Sequence, residues 1–145
     1  MRPLDTNLRV LSDQDLPDAL HLCRIDPPAT VLATTRIESA LTDGISHAGG
    51  TMMGFPRFGP LQAFAWVGSN IVPVNPFGLA DFPGALADGV RRYGRSVSSI
   101  VGPRDDVIGL WRALAGHWPN PRAIRDVQYS MVLRQAPLIE PDPSV

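Results

Sequence analysis

Three short apolar runs, packed into 24 residues, constrain this chain more than any other feature. Thr51 to Phe55, Leu61 to Val67 and Ile71 to Val74 are separated only by Pro56 with the turn Arg57-Phe58-Gly59-Pro60, and by Gly68-Ser69-Asn70. Both separators are rich in turn-forming residues, and neither is long enough to hold a crossover helix. Neighbours this close pair antiparallel, so the centre of the chain reads as a meander. In the third run, Pro73 has no N–H for a ladder, which argues for a bulge or an edge.

The period changes on both sides of this centre. Leu8 to Leu11 reads as a short strand. Asp15 then caps a helix over 16–24, with Asp18 at capping-box spacing and Pro17 in the first turn. Leu16, Leu20 and Cys23 line one face of it. Asp26 caps a second helix over 28–41, where Ala29, Ala33, Ile37 and Ala40 recur at helical spacing. Residues 42–50 read as a loop. Beyond the meander, Phe82, Leu86, Gly89, Val90 and Tyr93 mark a helix over 82–93 that stops at Gly94. Val97 to Val101 is a strand. A helix over 104–116 carries Val107, Leu110, Trp111 and Leu114, with Trp118 continuing the stripe before Pro119. Val127, Tyr129, Met131 and Leu133 alternate with Gln128, Ser130 and Arg134 as a half-exposed strand.

Strand–helix–strand units in the later part favour local parallel pairing. The expectation is an α/β domain with a mixed, mostly antiparallel twisted sheet of six or seven strands and helices on both faces. Leu20, Ile37, Phe64, Val67, Leu86, Val90, Ile100, Leu110 and Leu114 are the expected core.

Composition narrows the chemistry. A length of 145 residues suits one domain. The 13 basic residues nearly balance the 14 acidic ones, so no general attraction to nucleic acid or anionic membrane is expected. No apolar run reaches the roughly 18 residues of a membrane helix, and no signal peptide is evident, which makes the cytoplasm the expected location. All the basic residues are arginine, which excludes a lysine Schiff base and a P-loop lysine. Cys23 is the only cysteine, so neither an internal disulfide nor a cysteine metal cluster can form.

The blocks "LRVLSDQDLPDALHLCRIDPPATVLATTRIES", "FAWVGSNIVPVNP", "RRYGRSVSSIVGP" and "GLWRAL" together resemble an actinobacterial domain of unknown function. In that family the domain stands directly N-terminal to a GNAT acetyltransferase domain. The resemblance covers roughly residues 8–145, and the element order is similar to that of the GNAT acyltransferase fold. It implies a GNAT-like domain over 1–135 and a proline-rich linker over 136–145 toward a following GNAT domain. It also implies acetyl-CoA as the cofactor of that associated domain, and none for this chain.

In that fold the pyrophosphate of acetyl-CoA needs a cradle of backbone N–H groups between the fourth strand and the next helix. The matching segment is 72–89, with Gly78, Gly84 and Gly89. It lacks the family's Gln/Arg-x-x-Gly-x-Gly/Ala pattern. Pro76 and Pro83 remove donors, and Asp81 adds negative charge. Gly102-Pro103-Arg104-Asp105-Asp106 is a second helix start able to face an anion, yet its two aspartates already complement the helix end. Arg91, Arg92 and Arg95 complement a helix C-terminus or meet a partner domain.

His21, His47 and His117 have no metal-ligand spacing. Ser98 and Ser99 lie in a strand without a nucleophile-elbow context. Cys23 and the three tryptophans, Trp66, Trp111 and Trp118, read as packing residues. No catalytic, cofactor-binding or metal residue is therefore assigned. Three functions remain open: a non-catalytic domain supporting or regulating a neighbouring GNAT domain, an active N-acyltransferase with an atypical loop, and a free-standing ligand-binding domain. The partner would be that neighbouring domain or a second copy of the chain.

Overall fold

A computed structural model describes residues 6–144, apart from the Arg95 side chain. Among the described residues it holds a five-stranded mixed sheet and four α-helices. Strands β1 (Arg9–Val10), β2 (Thr51–Phe55), β3 (Ala63–Val67), β4 (Asn70–Val74) and β5 (Ser99–Ile100) lie side by side in chain order. The first four are antiparallel to their neighbours, and β5 joins β4 in parallel. Helices α1 (Leu16–Cys23) and α2 (Val31–Asp43) lie between β1 and β2 in sequence. Helix α3 (Phe82–Val90) connects β4 to β5, and α4 (Arg104–Leu114) follows β5.

The pleat divides the meander between two cores. Met52, Phe64, Trp66, Val72 and Val74 pack with Leu16, Ala19, Leu22, Ala33, Ile37 and Ala40 of α1 and α2. Met53, Phe55, Ala63, Ala65, Val67 and Ile71 pack with Phe82, Leu86, Val90, Leu110 and Leu114 of α3 and α4. The register explains the sorting: Met52 faces Trp66, and Trp66 faces Val72, on one face, while Met53 faces Ala65 on the other. Every residue of β3 is buried because both faces are covered. Of the expected core, Ile37, Phe64, Val67, Leu86, Val90, Leu110 and Leu114 are buried, and Leu20 and Ile100 are half-buried. Gly89 lets α3 approach β1 closely, since a β-carbon there would stand 2.6 Å from the Leu8 side chain.

Four details differ from expectation. Residues 127–134 form no strand and are exposed, so the sheet has five strands. The alternation is present, but a strand needs a ladder partner, and none of the described residues pairs with this segment. Pro73 marks neither a bulge nor an edge: β4 is internal and its register with β3 is unbroken. The parallel ladder ends where Val101 N–H donates to the Ile71 carbonyl, before an N–H at position 73 would be required. Helix α3 ends at Val90 and continues as a 3₁₀ turn over 91–96. The first cap lies one turn early, because residues 13–15 form a 3₁₀ turn in which the Ser12 N–H donates to the Asp15 carboxylate at 2.8 Å. Asp15 makes no side-chain capping bond to α1.

Candidate functional site

The segment after β4 was the first candidate, and the Asn75 side chain and three of the segment's N–H groups bond within it. Leu79 N–H donates to Asn75 Oδ1 at 2.9 Å, and Asn75 Nδ2 donates back to the Leu79 carbonyl at 3.2 Å. Gly78 N–H donates to the Asn75 carbonyl, and Phe82 N–H to the Leu79 carbonyl. Asparagine before proline is a natural turn initiator, and Gly78 supplies the positive φ of 61° that the turn requires. Pro83 sits in the first turn of α3, where it costs no helical bond. The N–H groups of 78, 79 and 82 therefore already have acceptors.

The second candidate lies against the first. Asn75 Nδ2 also donates to Asp106 Oδ1 at 2.9 Å, across 31 residues of sequence. This contact joins the loop after β4 to the first turn of α4. Burial pushes the Asp106 carboxyl above its ordinary range; the Asn75 bond opposes this, and the charge of Asp105 adds to it. Asn75 and Asp106 are thus the polar centre of the α3/α4 side, and Asn75 was absent from the sequence candidates. Its only local signal was the Asn75-Pro76 dipeptide. Gly102 continues the same packing, with the Pro73 ring 3.3 Å from where its β-carbon would be.

The remaining candidates have structural partners. Arg104 faces Asp105 at 3.6 Å on the surface, and its Nε donates to the Asp126 carbonyl at 3.1 Å. Arg91 Nη1 lies 3.3 Å from His117 Nε2. Trp118 Nε1 donates to the Arg91 carbonyl at 2.8 Å. Arg92 stacks on Tyr93, with 5.1 Å to the ring centroid. The third arginine of that cluster, Arg95, has its side chain outside the described residues. Ser98 Oγ donates to the Ser69 carbonyl and Ser99 Oγ to Asn70 Oδ1, so both hydroxyls tie β5 to the turn before β4.

His21 is exposed on α1, and exposed His47 lies 3.2 Å from the Ser46 hydroxyl. Cys23 is buried, and desolvation pushes its thiol pKa up while bonds to Thr34 and Thr30 oppose the rise. Trp66 is buried, whereas Trp111 and Trp118 are half-buried. Among the described residues, no group of three or more His, Cys, Asp or Glu side chains is placed to hold a metal ion. None of their helices is long and apolar enough to cross a membrane.

A family model described as a domain of unknown function (DUF4081) matches residues 50–145. The chain belongs to that family. The matched DUF4081 span takes in β2 to β5, α3, α4 and the exposed C-terminal segment, and thus both candidate loops with their Asn75–Asp106 contact. No curated protein and no solved structure matches the chain.

Proposed function

We propose that this chain is a non-catalytic, GNAT-like domain of an actinobacterial GNAT-family N-acetyltransferase, standing N-terminal to the catalytic GNAT domain and supporting or regulating it. The element order supports the GNAT-like reading: strand, two helices, three antiparallel strands, helix, a strand parallel to its predecessor, helix.

The observation that carries the non-catalytic part is the self-bonded loop after β4. A pyrophosphate needs several free N–H donors and positive potential. Here the N–H groups of Gly78, Leu79 and Phe82 are engaged by the protein itself. Pro76 and Pro83 have none to offer, and the nearby carboxylates of Asp81 and Asp106 repel an anion. The residues present do not fit the acetyl-CoA pyrophosphate, so the cofactor is assigned to the neighbouring domain. Reading the coding sequence beyond Val145 tests the arrangement. A GNAT catalytic domain directly downstream is the expected result; a stop codon or an unrelated domain would contradict it.

A further inference from the structure

The α3/α4 core is left part open along β5. Among the described residues β5 pairs with β4 on one side and with no strand on the other. The chain's own residues 119–126 pass beside that edge and leave a cleft of about 670 Å³ between themselves and the β5/α4 surface. A bond at each end holds this outer wall. Trp118 Nε1 donates to the Arg91 carbonyl, and Arg104 Nε donates to the Asp126 carbonyl. One chain thus walls the cleft on both sides, and its volume lies in the roughly 300–1,000 Å³ range of small-molecule sites.

The rest of the chain leaves this space empty. Val127, Tyr129, Met131 and Leu133 are exposed beyond the wall, and so are Leu138 and Ile139 of the tail. A strand laid on β5, from this chain or another copy, would first have to displace residues 119–126.

The lining combines two chemistries. Ile100, Trp111 and Trp118 pack against the buried core yet stay half-buried, as do Val107 and Ile108 beside them. These side chains form an apolar surface with two indole rings. Arg104, Arg122 and Arg125 also line the cleft, against the carboxylate of Asp126. Among the described residues Arg104 is ion-paired with Asp105, whereas Arg122 and Arg125 have no ion-pair partner. Residues 127–133, Val-Gln-Tyr-Ser-Met-Val-Leu, hold no carboxylate to offer them. The backbone adds a donor: Val101 N–H turns toward β4 to meet the Ile71 carbonyl, so the Ile100 N–H turns the other way, toward the cleft.

We propose that this cleft binds a small aromatic monocarboxylate, its ring against Trp111 and Ile108 and its carboxylate on Arg122 and Arg125. A guanidinium takes a carboxylate through two parallel hydrogen bonds, and indole faces favour a flat ring. The inference goes beyond the GNAT reading and does not rest on it.

The test is calorimetric titration of the full chain with naphthalene-2-carboxylate. One site per chain is expected, with a Kd below about 1 mM. Naphthalene-2-carboxamide keeps the rings and loses the charge; octanoate keeps the charge and loses the rings. Each should bind roughly tenfold more weakly, or worse. The double variant Arg122→Ala/Arg125→Ala should lose about the same factor and leave the melting temperature of the free chain unchanged, because both side chains are exposed and unpaired. The control Arg24→Ala/Arg36→Ala makes the same charge change on the α1/α2 side and should bind like wild type. Absence of binding up to millimolar naphthalene-2-carboxylate would overturn the proposal. So would an affinity indifferent to Arg122→Ala/Arg125→Ala, equal binding of the amide or of octanoate, or an equal loss in the control pair.

Discussion

The two faces of the sheet are built from the same three central strands and end differently. On the α1/α2 face, the two helices cover their face from Met52 to Val74, and the buried polar residue there, Thr30, donates its hydroxyl to the Cys23 carbonyl at 2.8 Å. On the α3/α4 face, Phe82, Leu86, Leu110 and Leu114 are equally deep, but the packing thins toward β5, where Ile100, Ile108 and Trp111 stay half-buried. The difference teaches that helix periodicity alone does not close a core. The sheet must extend far enough beneath the helix, and β5 contributes only Ser99 and Ile100.

Core truncations sharpen this comparison with the largest effects. Phe64→Ala on the closed face is expected to cost about 3–5 kcal/mol, and Leu110→Ala at the centre of the other face about 2–5 kcal/mol. Ile108→Ala at the rim should cost less, about 1–2 kcal/mol, because part of its surface is already in water. Urea denaturation reads all three. An Ile108→Ala loss equal to that of Leu110→Ala would mean that the rim is closed.

A polar truncation comes next. Asn75→Ala removes the acceptor of Leu79 N–H and the donor to Asp106 in one step. A loss of about 1–3 kcal/mol is expected for partners left unsatisfied. A neutral result in the same denaturation assay would show that the loop and the first turn of α4 are not joined through this side chain.

The smallest effect is a pH dependence. The folded carboxyl of Asp106 titrates above its ordinary range, chiefly through burial. Its ionised form is therefore the less favoured one in the fold. The wild-type domain loses this increment of stability as pH rises through the raised pKa, and regains it fully below the unfolded value of about 3.9. Asp106→Asn is accordingly expected to melt higher than wild type at neutral pH, with the gain disappearing as the pH is lowered toward 4. Thermal melts from pH 4 to pH 8 check this. A gain that grows on acidification would reverse the sign and contradict a desolvated carboxylate.

Much of this architecture was legible in the sequence because it is local. The turns at 57–60 and 68–70 set the meander, and the spacings Ala33-Ile37-Ala40 and Leu110-Leu114 set the helix phases. What was not legible depends on distant partners. The alternation from Val127 to Leu133 describes a face that wants covering, without saying whether a strand stands beside it. Pro73 looked like an edge signal because the sequence does not show where the β5 ladder ends. Asn75 and Asp106 each read as ordinary loop and cap residues, and only the packing of α4 against the loop after β4 makes them a pair. The assignment of no catalytic residue rested on missing patterns, and the sequence does not show that the N–H groups of Gly78, Leu79 and Phe82 bond within the loop.

The central claim, that this domain carries no acyl-CoA site, is most directly tested by calorimetric titration of the chain with acetyl-CoA. The bonds from Gly78, Leu79 and Phe82 would have to break before any pyrophosphate was gripped, and there is no lysine to compensate. The expected result is no measurable heat of binding up to millimolar ligand, which corresponds to less than about 4 kcal/mol of affinity. Binding at micromolar Kd with one site per chain would contradict the account.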